Sequence, residues 1–229
     1  PLIIFPNTFI IEMKRTLLSF AFLLSALIAT AQDACLNDVV NTLKDRISLS
    51  GYAQVGYTYD DADGSSNTFD IKRVIFMAQG KITDRWSCYF MYSFANTGKI
   101  LEAYTEYKFL PQLTARIGQF KTMYTIENPM SPCYVELINC YSQSVNYLAG
   151  INGSDPLYGS SSGRDMGLLI YGDLFGKLVN YNLAVMNGQG INLKDKNNQK
   201  DIVGRLMVHP LDWLSVGGSF VKGKGCAVS

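Results

Sequence analysis

The sequence predicts an all-β chain, a transmembrane antiparallel up-and-down β-barrel, on three observations. Apolar and polar residues alternate with period two over most of the chain after Ile47. The strand-like runs are joined by connections that alternate between short and long. An export signal precedes them all. Composition agrees. The 229 residues are 48% hydrophobic and 12% aromatic but only 17% charged, against about 25% charged in soluble domains. That much apolar content excludes a disordered polymer. A net charge of +1 gives no reason to expect a nucleic-acid partner. Beyond the leader, no apolar run reaches the roughly 18 residues of a membrane-spanning helix.

The leader comes first. Met13, Lys14 and Arg15 make a positive start, Leu17 to Ile28 is an almost unbroken apolar run, and Ala29, Thr30 and Ala31 form a small-residue cleavage site. Residues 1–31 are therefore read as upstream residues plus a signal peptide. Removing them takes away Glu12, Lys14 and Arg15 and leaves a mature chain of zero net charge. Any selectivity for a charged ligand must then come from local placement. Residues 32–46 are expected to be a short periplasmic segment, and 47–229 a partial barrel.

The strands follow in order. Leu49, Gly51, Ala53, Val55 and Tyr57 share one face, against Ser50, Tyr52, Gln54 and Thr58. Trp86, Cys88, Phe90, Tyr92 and Phe94 oppose Ser87, Tyr89, Met91 and Ser93. Leu101, Ala103, Thr105, Tyr107 and Phe109 oppose Glu102, Tyr104, Glu106 and Lys108. Val179 to Val185, Ile202 to Val208 and Leu214 to Phe220 alternate in the same way, with Asn180, Asn182 and Arg205 on polar faces. Further strands are expected at 68–81, 113–123 and 164–173, about nine in all. Short turns are predicted at Thr83–Arg85, Leu110–Gln112, Asp173–Gly176 and His209–Asp212. The longer, more polar connections fall at 60–67, 96–99, 124–162 and 188–200. In outer-membrane barrels short turns face the periplasm, longer loops face outward, and aromatic girdles mark both interfaces. Tyr57, Tyr59, Trp86, Phe109 and Trp213 suit such girdles. A secreted β-sheet binding protein would also alternate, but it explains neither the low charge nor the asymmetric loops.

Three motifs carry a family resemblance. The first is Arg116-Ile117-Gly118-Gln119-Phe120-Lys121 followed by Glu127-Asn128-Pro129. The second is Gly163-Arg164-Asp165-Met166-Gly167-Leu168. The third runs from Phe69-Asp70-Ile71-Lys72-Arg73 to Gly80-Lys81-Ile82-Thr83 and Trp86. With the segment from Pro132 to Gly150, they make the chain resemble the phosphate-selective porin O and P family of outer-membrane channels, in a form similar to Bacteroides-type members. The resemblance covers roughly residues 47–225. It implies a barrel of about 16 strands, commonly a homotrimer, held in outer-membrane lipid and passing phosphate or other small anions without a cofactor. The chain ends on Gly225-Cys226-Ala227-Val228-Ser229 rather than on an aromatic strand end, so it is expected to be the N-terminal part of a longer porin.

An anion channel needs cations facing a water-filled lumen. The anion-path candidates are Arg73, Lys108, Arg116, Lys121, Arg164 and Arg205. Lys108, Arg116 and Arg205 fall on polar faces. Lys72 and Arg73 are adjacent, so strict alternation allows only one of them to face the lumen. Lys121 and Arg164 sit at mouth or loop positions of the motifs, where the resemblance implies a framework role. Each cation could instead serve a structural ion pair. Glu102 and Glu106 share the face of Lys108 and could neutralise it. The alternative channel is a general porin with little anion preference.

The connection 124–162 is too long for a structureless link. Val135, Leu137, Ile138 and Tyr141 have roughly helical spacing, which predicts a short helix within 133–148 on a loop folded into the pore. An outward loop carrying a local helix is the other possibility. Enzymatic chemistry is not expected. His209 is the only histidine, lies in an expected turn, and has no evident Ser or Cys partner. Glu102 and Glu106 read as lumen lining rather than an acid–base pair. Asp60 to Gly64 lacks the downstream Glu of a calcium loop, and Asn187 to Gly190 is a strand-end turn. Five scattered Cys give no zinc pattern and no disulfide framework, although Cys133 and Cys140 could pair.

Overall fold

The computed structural model describes residues 44–59, 67–95, 97–131, 133, 141–149, 162–195 and 198–223. The chain divides into two compact units, Pro1–Arg46 and Ile47–Ser229. Of the first unit only the helical residues 44–46 are described. The expected signal peptide and the acidic loop 60–64 lie outside the described residues.

The described residues of the second unit form nine strands and one short helix. Nine strands run β1 (Ile47–Thr58), β2 (Thr68–Lys81), β3 (Trp86–Ser93), β4 (Lys99–Leu110), β5 (Leu113–Lys121), β6 (Arg164–Leu174), β7 (Val179–Met186), β8 (Asp201–Leu211) and β9 (Leu214–Lys222). They form one antiparallel sheet in sequence order, each strand paired with the next. Every strand expected from the alternation is present, with ends shifted by at most three residues. Among the described residues no helix is long and apolar enough to cross a membrane, which leaves a crossing by strands untouched.

The short turns lie at one end of the sheet and the long connections at the other. Two turns differ from expectation. β6 continues through Leu174, so its turn falls at 175–178, where Phe175, Gly176 and Lys177 all take positive φ. β8 continues through His209 and Pro210 to Leu211, leaving Asp212 and Trp213 as the turn. Pro210 is tolerated because the register skips from Val208 to Leu211, so its missing N–H leaves no ladder bond unmade.

The register separates two faces. Ile117 opposite Leu168, Leu183 opposite Gly204, and Val208 opposite Val216 lie on the outer face, where Ile117 and Val216 are 59% and 58% exposed. A contiguous exposed apolar face of this kind marks a surface that meets lipid or another protein. The inner face carries Glu106 opposite Arg116, Tyr171 opposite Asn182, and Asn182 opposite Arg205.

The inner face also holds the core. Phe120, Leu169, Ala184, Met186 and Val203 form a buried cluster, covered by Met123 and Tyr124 from the connection after β5. Ala184 sits directly between Leu169 and Val203 across three strands. The long connection therefore folds over the inner face. Its single described helix, α1 (Gln143–Leu148), begins after Ser142, whose Oγ accepts the Val145 N–H at 3.4 Å. Tyr141, Val145 and Ala149 bury one side of it. The expected helix within 133–148 is thus observed over 143–148, while 134–140 lie outside the described residues. Cys133 carries a free thiol.

Candidate functional site

A cavity of about 820 Å³ lies against the inner face, walled by β1 to β6 and roofed in part by Pro129, Ser131 and Tyr141 of the long connection. Lys72, Arg73, Lys99, Arg116, Lys121 and Arg164 line it, against one carboxylate, Glu102. Four of the six anion-path candidates are brought together here. Arg205 and Lys108 are not among the lining residues.

Arg116 projects from the middle of β5. Its Nη2 and Nε donate to Glu106 Oε2 at 2.9 and 3.1 Å. The Tyr171 hydroxyl donates to the same oxygen at 2.9 Å. The guanidinium also lies 4.0 Å from the centre of the Tyr104 ring, a cation–π contact worth about 0.5–2 kcal/mol. Gly118, with φ of 133°, allows this arrangement, since a Cβ there would run into Ala103 O and the Tyr104 backbone. Arg164 donates to Glu102 Oε1 from Nη2 at 3.1 Å and to Ser162 O from Nη1 at 3.0 Å. The two glutamates expected to neutralise Lys108 therefore bind Arg116 and Arg164 instead. Lys108 is exposed near the short-turn end.

Lys121 Nζ donates to Met130 O at 2.6 Å and lies 3.4 Å from the Tyr141 hydroxyl, so it ties the long connection to β5. Arg73 Nη1 donates to Gln54 Oε1 at 2.8 Å. Both Lys72 and Arg73 line the cavity, against the expectation that only one could. The reason is a β-bulge: Gln54 pairs with Arg73 and Val55 with Ile71, leaving Lys72 as the extra residue. A second bulge places Leu101 in the wall rather than outside, since Met91 pairs with Glu102 and Tyr92 with Ile100. Alternation alone cannot reveal a bulge.

Arg205 lies apart, under the start of the long connection. Its Nη1 donates to Thr125 O at 3.0 Å. Its Nε is buried without a hydrogen-bond partner among the described residues.

Two of the sequence motifs meet at a single joint. Asn128 is 1% exposed and its Nδ2 donates to Thr122 O and Gly163 O at 2.9 and 2.8 Å. A Cβ on Gly163 would collide with the Asn128 amide, and Gly163 has φ of 68°. Glu127 Oε2 accepts the Ser142 N–H at 2.9 Å and fixes the entry to α1. The motif residues hold both ends of the long connection over the sheet.

Sequence reasoning missed Lys99 and the tyrosine side of the wall. Lys99 Nζ donates to Ser162 Oγ at 3.1 Å, beside Arg164. Tyr89 and Tyr104 stack with ring centres 5.1 Å apart, and Tyr52 lines the same cavity. All three tyrosines stand on faces the alternation had already marked as polar. His209, expected to be isolated in a turn, shares a 2.7 Å hydrogen bond with Ser215 across the β8–β9 hairpin. Among the described residues no three His, Cys, Asp or Glu side chains gather as a metal site.

An up-and-down antiparallel sheet, apolar outside and charged within, with its longest connection folded over the charged face, has the architecture of a partial β-barrel. Residues 50–152 match the model of the family described as phosphate-selective porin O and P. The resemblance drawn from the motifs is borne out over that stretch. It is a family of channels rather than of enzymes. No curated protein gives a significant match to the chain.

Proposed function

We propose that the protein is an outer-membrane porin through which small anions diffuse passively, with phosphate the first candidate. The observation that carries this is the inner cavity, where six basic residues face one carboxylate. The family match supports it, and so does the exposed apolar outer face, which disfavours a secreted, water-soluble binding protein. The cations act by local electrostatic attraction and replace part of the anion's hydration without holding it. Lys72 and Lys99 are the simplest candidates for that role, because among the described residues neither has an acidic partner. Arg73, Lys121, Arg164 and Arg116 belong to the same wall, with the last two also bracing the sheet. Export through the leader, residence in outer-membrane lipid and assembly as a homotrimer belong to the same proposal.

One observation favours a second reading. Arg116 and Arg164 are each ion-paired, which weakens their attraction for a passing anion and suits a general porin. Single-channel currents of the native protein, recorded while phosphate is titrated into chloride, decide between them. Current steps blocked by phosphate at low concentration support the anion path. Steps indifferent to phosphate make the protein a general porin, and absence of steps overturns the channel.

A further inference from the structure

The cavity is larger and chemically more mixed than an inorganic anion needs. About 820 Å³ falls within the roughly 300–1,000 Å³ of pockets that enclose whole organic molecules. Three of its six cations gather at one end. Lys121 lies opposite Arg164 in the β5–β6 register, and Lys99 and Arg164 share Ser162. Three cations thus converge there with one carboxylate, Glu102, which is bound to Arg164.

Two residues further along β4, a step of about 7 Å, the wall changes to stacked aromatic rings, with the Arg116 guanidinium, paired to Glu106, 4.0 Å from the Tyr104 ring centre. Tyr104 follows Glu102 on the inner face, and Tyr89 stacks on Tyr104. Met91 and Leu101 add apolar surface beside them. The hydroxyls of Tyr52, Tyr89 and Tyr104 have no hydrogen-bond partner among the described residues, so they can donate to a ligand oxygen. Ser93 and Ser131 add further hydroxyls to the wall. A cluster of three cations, then rings, hydroxyl donors and one ion-paired guanidinium, form a surface with two needs: a dianionic group and a hydroxylated ring joined to it.

We propose that this cavity binds a phosphorylated monosaccharide, the phosphate held among Lys99, Lys121 and Arg164 and the sugar against Tyr89 and Tyr104. The inference rests on the channel reading above and deepens it by naming a substrate class for the same wall. The test uses native protein in planar bilayers, with glucose 6-phosphate, inorganic phosphate and glucose as blockers. Glucose 6-phosphate should halve the current at a concentration at least tenfold below inorganic phosphate, and glucose at that concentration should do nothing. Tyr89→Leu should weaken block by glucose 6-phosphate at least threefold more than block by phosphate. Lys99→Met should weaken both.

Equal potency of glucose 6-phosphate and phosphate would overturn the sugar-phosphate site and leave the porin standing. Block by glucose as potent as by its phosphate would overturn the cationic end of the site. If no channels form, the porin reading fails first. Titration calorimetry of the same detergent-solubilised protein then judges the site alone: tighter binding of glucose 6-phosphate than of phosphate upholds it, and absent or equal binding overturns it.

Discussion

Glu106 is the residue on which the inner wall turns. One carboxylate oxygen accepts from Arg116 and from the Tyr171 hydroxyl, so a single side chain joins β4, β5 and β6. Glu106→Gln keeps the shape and removes the charge. One unit charge at about 4 Å is worth about 1 kcal/mol even in water, so the anion-to-cation permeability ratio should rise about twofold to fivefold. The zero-current potential across a KCl gradient measures it; an unchanged ratio would assign the Arg116 pair to bracing alone. Asn128 holds a different joint. Asn128→Ala strands the buried Thr122 carbonyl and removes one of the donors to Gly163 O, which keeps the Thr122 N–H, at about 1–3 kcal/mol. The segment between β5 and β6 should then be cut faster by chymotrypsin at Tyr124 and Tyr141, and an unaltered cleavage rate would show that Lys121 suffices to hold the loop.

Each strand obeys a rule of two environments. On β7, Leu183 points outward and is exposed, while Asn180 points inward beside Asp173. Arginine in place of Leu183 should cost about 2–4 kcal/mol if that face meets mid-bilayer lipid. Arginine in place of Asn180 gains a carboxylate neighbour and should be tolerated. Comparing the heat-modifiable fraction of the two variants on unboiled gels checks the assignment of faces; equal behaviour would refute it. The bulge at Lys72 shows where the rule is broken locally. One extra residue lets neighbouring cations reach the same cavity, a result no alternating strand could give.

At the scale of the whole sheet, the governing fact is that among the described residues β1 and β9 each have one partner strand. An open sheet edge cannot sit in hydrocarbon, because its backbone groups would lack hydrogen bonds. Residence in the outer membrane, as proposed, therefore requires both edges to be covered. The expected sign is a band that migrates faster unboiled than boiled; identical migration would argue against a closed barrel. The cavity's charge sets a second whole-molecule property. Anion preference should fall as KCl is raised from 0.1 to 1 M, because the screening length shrinks from about 10 to about 3 Å. A preference independent of salt would place selectivity in direct contacts rather than in the field.

Much of this was legible in the residues themselves. Period-two alternation reports which side of a strand meets which medium, so Leu183 on one face and Asn182 on the other could be assigned before any coordinate. The turn and loop lengths gave the sequence-ordered sheet, and the motifs around Arg116, Asn128 and Arg164 pointed to the family that residues 50–152 match. What the sequence did not contain was partnership across strands. Which carboxylate meets which guanidinium depends on register, and register is shifted by the bulges near Lys72 and Leu101. Glu102 and Glu106 were therefore expected beside Lys108, yet they bind Arg164 and Arg116. The apolar patch of Leu169, Ala184 and Val203 on the inner face was invisible for a related reason. Its cover, Met123 and Tyr124, arrives from a connection whose path is set only when Asn128 and Gly163 close on each other. The sequence by itself determined the strands, their order and their two faces, because those follow from local periodicity. Only the tertiary structure decided which charges are spent on one another and which remain in the cavity, because contacts between distant strands are fixed by register and packing.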